Sequence, residues 1–332
     1  MLKRLFAAVC AVVSAVMLTA CSMTARDLHE VTHRIEVPPR MLFLGDSIAA
    51  GYGLDGYSAD DPYNCRSYAN ILAGNYSSEL KDECGNVMVN KAVSGETSAE
   101  LLELINSGEV DEYLADSDAV VVSIGGNDLL GLIFELMENL GISSDDFSFN
   151  FKNIDIFGAA DAFSTMESQA NEALDGFEAN LPLIVEELSS RTNGTLYFQT
   201  LYDPLEYFEK IPRLTKFSTE KIGRLNTIIR EQAEGHYKVV DIAEKFAGQS
   251  ETVTNIKSFD IHPNSIGHQL IADSIDESFR ETGFTYTTEE YGEQYITREG
   301  YIAIIVGIVL SVFAMTLPAL LVGGLVRGKK EK

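Results

Sequence analysis

The sequence predicts an α/β fold in which helices cover both faces of a parallel sheet. Five short apolar runs have strand length: Met41–Leu44, Val87–Asn90, Ala119–Ile124, Thr195–Gln199 and Lys238–Val240. Helical patterns fall between them, and strands alternating with helices imply a parallel sheet buried on both sides. Ser47, Gly95 and Asn127 each lie just past one of these runs. The turns that carry them should therefore open on one sheet edge, where open α/β sheets bind ligands.

In chain order, Lys3 and Arg4 precede an uncharged apolar stretch, Leu5 to Ala20, which reads as a secretory signal over residues 1–20. It ends in Leu18-Thr19-Ala20-Cys21, similar to a bacterial lipobox, so Cys21 is the expected lipidation site. Residues 21–40 form a polar lead-in. The exported domain is expected over 41–282. Within it, Thr97 to Glu100 is a capping-box pattern that opens a helix over Ala99–Asn106. Residues 130–163 interrupt the alternation directly after Asn127-Asp128 and read either as a pocket wall or lid or as a surface insertion. Ala170, Leu174, Phe177, Leu181, Ile184 and Leu188 mark one face of a long helix. Ile222, Leu225, Ile228 and Ile229 mark another. Asn264 is placed to cap a last helix with Ile266, Leu270, Ile271 and Ile275 on its apolar side.

Residues 283–300 are polar and read as a spacer. Tyr301 to Val326 contains no charged residue, enough to cross ~30 Å of hydrocarbon. Arg327, Lys329, Lys330 and Lys332 follow in a basic tail over 327–332, which the positive-inside rule leaves in the cytoplasm. The expected location is thus a bacterial cell membrane, with the domain outside. The net charge of −25 over 332 residues argues against nucleic acid as a partner. Of the four cysteines, only Cys65 and Cys84 fall in the exported domain, where a bridge is permitted and is expected to stabilise by ~2–4 kcal/mol.

Four blocks carry chemistry: Gly45-Asp46-Ser47, Gly95, Gly125-Gly126-Asn127-Asp128 and Asp260-Ile261-His262-Pro263-Asn264. A serine hydroxyl needs a base within hydrogen-bond reach to act as a nucleophile, and His262 is the candidate base. Acyl transfer develops an oxyanion that wants donors fixed in advance. The backbone N–H of Gly95 is open to close approach, and Asn127 offers a side-chain amide. Taken singly, the first block is also an ordinary helix cap and the third an ordinary turn. Asp46 and Asp128 read as loop braces, and His268 as a packing or surface residue. His29, His33 and His236 lack metal-ligand spacing.

In this order, the four blocks resemble the SGNH (GDSL) hydrolases, a superfamily of serine esterases and acylhydrolases. The resemblance spans about residues 41–279. It implies a flavodoxin-like three-layer α/β/α sandwich, no metal and no organic cofactor. It implies Ser47 as nucleophile, His262 as base, and Ser47, Gly95 and Asn127 as oxyanion donors. The family places its catalytic Asp three residues before the His. Here that position holds Phe259, and Asp260 is one residue closer. Either a remodelled loop lets Asp260 reach the ring, or a backbone carbonyl orients His262 in a Ser–His dyad. The expected activity is hydrolysis of a carboxylic ester, with a small-molecule or glycan ester as substrate. The rival readings are a lysophospholipase or lipase-like acylhydrolase, and a surface binding module with an impaired site.

Overall fold

The computed structural model describes residues 23–81, 83–129, 144–145, 148–149, 159–209, 212–258 and 260–327. Side chains of 144–145, 148–149, 159–165, 314–315 and 317–327 lie outside that description. The signal segment, Cys21, Phe259, the basic tail after Arg327 and most of the 130–163 interruption are also outside it. The chain divides into two compact units, Arg34–Tyr286 and the paired terminal segments Met1–His33 with Thr287–Lys332.

The terminal segments depart from the expected polar lead-in and spacer. β1 (Thr24–Ala25) pairs antiparallel with β11 (Tyr295–Ile296), and β2 (Leu28–Ile35) pairs with β10 (Phe284–Tyr291). Threonines, tyrosines and valine favour strand, but Glu30, Arg34, Glu289 and Glu290 broke the apolar pattern by which buried strands are recognised.

The central sheet is built from β3 (Arg40–Gly45), β4 (Val87–Asn90), β5 (Ala119–Ser123), β8 (Thr195–Gln199) and β9 (Lys238–Val240). β6 (Ser144–Asp145) and β7 (Ser148–Phe149) form a separate two-residue pair. All neighbours in the central sheet are parallel, in the order β4-β3-β5-β8-β9. Counting only these strands, the order is 2-1-3-4-5, that of the flavodoxin-like doubly wound sheets. The pleat sorts side chains between two cores. Met41, Phe43, Ala119, Val121 and Tyr197 enter one, with α2 (Tyr68–Glu79) and α9 (Ser265–Thr282). Leu42, Leu44, Val120, Val122, Leu196 and Phe198 enter the other, with α3 (Ser98–Ser107), α5 (Ala159–Arg191) and α6 (Pro212–Glu231). The Val120-Val121-Val122 run is fully buried because each alternate residue has its own helical layer to face. Other helices among the described residues are α1 (Ser47–Ala50), α4 (Asp111–Ala115), α7 (Ile242–Phe246), α8 (Ser250–Val253) and α10 (Arg298–Arg327).

Local signals set the helix starts. Thr97 and Glu100 close the capping box, with Glu100 Oε2 accepting the Thr97 backbone N–H at 2.9 Å. Asn264 Oδ1 accepts from the backbone of Ile266 and Gly267. Ile266, expected on the apolar face of α9, is 56% exposed in the first turn, whereas Ile271 and Ile275 are buried.

Cys65 and Cys84 are free thiols, which corrects the expected bridge. They flank α2, one before its N-terminus and one beyond its C-terminus. A helix of 12 residues spans roughly 18 Å, well beyond the ~7 Å Cα separation a disulfide tolerates. Cys65 is buried; Cys84 is exposed.

The expected membrane segment lies in α10. Among the described residues no helix is long and apolar enough to cross a membrane.

Candidate active site

Ser47, Gly95 and Asn127 each owe their position to a strand end. After β3, the backbone N–H of Asp46 bonds to the Ser123 carbonyl at 2.9 Å, locking the first turn against β5. Gly45 makes this possible: its φ is +109°, and a Cβ there would stand 1.8 Å from the Ser123 carbonyl oxygen. The buried Asp46 carboxylate caps α1 through the Ile48 N–H and accepts from Ser123 Oγ at 3.1 Å. Burial pushes its pKa up to about 6, against the pull of those hydrogen bonds. Asp46 thus fixes the backbone on which Ser47 is the first helical residue.

His262 arrives from a loop before α9. Tyr202 Oη donates to the Ile261 carbonyl at 2.8 Å, and the Tyr52 ring lies 4.6 Å from the imidazole, centroid to centroid. The imidazole Nε2 stands 2.9 Å from Ser47 Oγ. Its Nδ1 stands 2.6 Å from Asp260 Oδ1, which also accepts the His262 backbone N–H at 3.0 Å. A carboxylate accepts only, so Nδ1 carries the proton and Nε2 is left to accept from the serine. Burial raises the Asp260 pKa, but the His262 hydrogen bond and charge outweigh it and hold the carboxyl below its ordinary value. Asn255 Nδ2 lies 3.4 Å from the other oxygen, Oδ2. The one-residue offset is absorbed by a turn in which Asp260 folds back onto the residue two positions ahead.

The donor side is assembled from the turns after β4 and β5, the latter leading into a helical turn at 126–129. Gly95 has φ +92° and nothing within 4 Å of where a Cβ would be. Asn127 Nδ2 donates to the Glu96 carbonyl at 2.9 Å, which pins the amide beside the Gly95 turn and, among the described residues, leaves its second hydrogen without an acceptor. Asp128 ties the two loops together, accepting from Ser98 Oγ at 2.5 Å and the Ser98 backbone at 3.0 Å. Asn180 Nδ2 reaches the same hydroxyl at 2.9 Å.

An ordered Ser47–His262–Asp260 relay at the β3/β5 reversal of strand order, with Asn127 lining the same pocket, is a geometry that can serve acyl transfer. The sequence pattern of the GDSL-like lipase/acylhydrolase family matches residues 43–270. The chain belongs to that family. The uncharacterized protein YpmR of Bacillus subtilis (strain 168) is 22% identical over 281 residues, covering 80% of this chain and 93% of YpmR. Two solved structures share the fold. One is the lipase Lip_vut3 from a goat rumen metagenome, at 18% identity and TM-score 0.53, covering 72% of this chain and 96% of that one. The other is an extracellular lipase from Streptomyces rimosus, at 16% identity and TM-score 0.51, covering 72% and 98%.

Several parts of this GDSL-family site went unread in the sequence. Glu96, Tyr202, Tyr52 and Asn255 hold the reactive groups from other loops, and only their three-dimensional placement reveals it. So does the pocket beside Ser47 and His262, walled by Ile48, Leu129, Leu201, Phe217, Ile222 and Ile261. His268, by contrast, is buried inside the core. Its Nδ1 accepts the Tyr68 backbone N–H at 3.2 Å, and burial pushes its pKa down to about 3, so it packs as a neutral ring. Among the described residues no group of three His, Cys, Asp or Glu side chains is placed to hold a metal ion.

Proposed function

We propose that this hydrolase cleaves carboxylic esters through an acyl-enzyme on Ser47. The observation that carries the reading is the continuous relay from Ser47 Oγ to His262 Nε2, at 2.9 Å, and from His262 Nδ1 to Asp260, at 2.6 Å. Ser47 attacks the ester carbonyl as Nε2 takes its proton. The developing oxyanion is met by the Ser47 and Gly95 backbone N–H groups and the free amide hydrogen of Asn127. The imidazolium, held by Asp260, returns the proton to the departing alcohol. Water repeats the sequence and releases the acid. A fluorophosphonate probe tests the assignment: mass spectrometry should place the label on Ser47, and Ser47→Ala should abolish both labelling and hydrolysis. Label on another residue, or full activity in that variant, would overturn it.

For the acyl part, the apolar pocket favours a chain of several carbons over acetyl, so the lipase-like reading is preferred to glycan deacetylation. On p-nitrophenyl esters, kcat/KM should rise from acetate to hexanoate or longer. A steady fall from acetate onward would restore the deacetylase reading.

We further propose that the enzyme is membrane-anchored with its catalytic unit outside. The described side chains of α10 support this: Ile302, Ile305, Ile308, Val309, Val312 and Phe313 are all exposed and form one broad apolar face of the helix. An exposed apolar face of that breadth needs a lipid or protein cover. The uncharged run to Val326 and the basic tail give the orientation. Cys21 is the proposed lipidation site. Cys21→Ala should stay in the membrane fraction, because the helix remains. Deletion of residues 301–332 should release the protein only in part. Complete release on that deletion would exclude lipidation.

A further inference from the structure

The three oxyanion donors assigned above are joined through one residue. Glu96 follows Gly95, and its backbone N–H closes the turn around that glycine by donating to the Val93 carbonyl at 3.1 Å. Its own carbonyl accepts the Asn127 amide at 2.9 Å. Val93 in turn donates to the Gly45 carbonyl at 2.7 Å, which ties this turn to the one that carries Ser47. The main chain of Glu96 therefore sets where the Gly95 and Asn127 donors stand.

The side chain stands apart from that network. Glu96 is only 6% exposed, and its Oε2 is enclosed with no hydrogen-bond partner among the described residues. A buried carboxylate needs a counter-charge or several donors. The charges that act on Glu96 are instead negative. Asp46 acts from the Ser47 turn, and Glu100 from the first turn of α3, where Thr97 keeps that carboxyl ionised. Asp128, after β5, spends its carboxyl on Ser98. Lys91, the nearest cation along the chain, lies over the Tyr113 ring. Burial, with Asp46 and Glu100, pushes the Glu96 pKa up to about 8. As a carboxylate, Glu96 would bring one negative charge to the loop that must meet a second, the developing oxyanion.

We propose that Glu96 is a positioning residue of the oxyanion loop that works as the neutral acid, and that loss of its proton weakens transition-state stabilisation without any contact with substrate. The inference rests on the ester-hydrolase reading above and adds to it the residue that sets the alkaline limit of the reaction. The proton leaves to solvent, and no bond to substrate forms or breaks at Glu96. His262 must be neutral to take the serine proton, which gives an acid limb; Glu96 must be neutral to leave the donors effective, which gives an alkaline one.

The test is the pH profile of kcat on p-nitrophenyl hexanoate from pH 6 to pH 10, with the full chain in detergent and Ser47→Ala as the background. In the parent, kcat should fall about tenfold or more between pH 7 and pH 10, with KM nearly constant and the rate recovered on return to pH 7. Glu96→Gln is neutral throughout, so its rate at pH 10 should stay within about twofold of its own rate at pH 7. Glu96→Asp keeps an ionisable group and should keep the alkaline fall. A parent flat to pH 10, or a fall of the same size in Glu96→Gln, overturns the proposal. So does a loss carried by KM alone, or one that circular dichroism shows to be unfolding. A second reading needs only the parent: the infrared band of a protonated carboxyl should vanish with the same midpoint as kcat, and separate midpoints also overturn the assignment. No turnover by the parent at any pH sinks the ester-hydrolase reading and this inference with it, whereas an alkaline fall that survives Glu96→Gln sinks this inference alone.

Discussion

Asp260 holds His262 with one oxygen at two points, the ring Nδ1 at 2.6 Å and the backbone N–H at 3.0 Å. The double contact ties ring orientation to loop conformation. An Asn at 260 would present either an amide N–H to a ring nitrogen that must itself donate, or a weaker neutral acceptor. Asp260→Asn is therefore expected to lower kcat by about 10³-fold or more, with KM changed little. Steady-state kinetics on p-nitrophenyl hexanoate decides. A loss below about tenfold would mean the enzyme runs as a Ser–His dyad.

Asn127 spends one amide hydrogen on Glu96, and the proposed mechanism assigns the other to the oxyanion. Asn127→Ala removes both. Its kcat should fall by about 10²–10³-fold. Ser47 should still react with a fluorophosphonate, because the relay to His262 does not pass through Asn127. Loss of labelling together with turnover would show that Asn127 supports the fold of the site rather than the transition state.

The two glycines at this edge predict opposite phenotypes. At Gly45 an added methyl meets the Ser123 carbonyl at 1.8 Å, so Gly45→Ala should cost about 3–5 kcal/mol and lower Tm sharply. At Gly95 the space is open and only the positive φ resists, at about 1–2 kcal/mol. Gly95→Ala should fold and lose activity. Thermal melts with parallel assays separate the cases, and equal Tm losses would contradict the argument.

Glu96 is buried, with Oε2 unpartnered, and burial pushes its pKa up to about 8, with Asp46 and Glu100 adding to the rise. The sign follows from linkage. Below about pH 4.5 the carboxyl is protonated in both states and contributes nothing. Between there and pH 8 the unfolded chain ionises first, so stability is lost as pH rises, and the loss levels off above 8. Glu96→Gln removes this cost. Its advantage over the parent should grow from pH 5 to pH 8, by up to about 1.4 kcal/mol per unit. Urea unfolding at pH 5, 6.5 and 8 measures it; a gain independent of pH would refute the assignment.

Free thiols at Cys65 and Cys84 give a direct chemical expectation. In the native protein maleimide should modify Cys84 and spare Cys65, and denaturant should expose both. Peptide mapping without reductant should find no Cys65–Cys84 crosslink. Finding that crosslink would require α2 to be rebuilt.

Ser47, Gly95, Asn127 and His262 could be picked out from sequence because each follows a short apolar run or precedes a capped helix, and a parallel sheet gathers such turns at one edge. The central strands were legible for the same reason: Ala119-Val120-Val121-Val122 leaves no solvent face. The reach of Asp260 was not legible, since it depends on a backbone turn that carries the side chain back over two residues. The cysteine pairing failed because counting thiols ignores the rigid helix between them. The apolar pocket draws on residues after β3, β5 and β8, on α6 and on the His262 loop. No local window of sequence contains that juxtaposition.

The pairing of β2 with β10 also carries a temporal consequence. His33 and its contact Thr288 are 255 residues apart in sequence. At synthesis rates of about 5–20 residues per second, β2 waits tens of seconds for its partner. For that interval it is an open strand that any other extended chain could join. Glu30 and Arg34, the charges that hid it from a hydrophobicity reading, serve as its guard during the wait. Neutralising both should leave the finished enzyme's rate intact and send more of each newly made batch into aggregates.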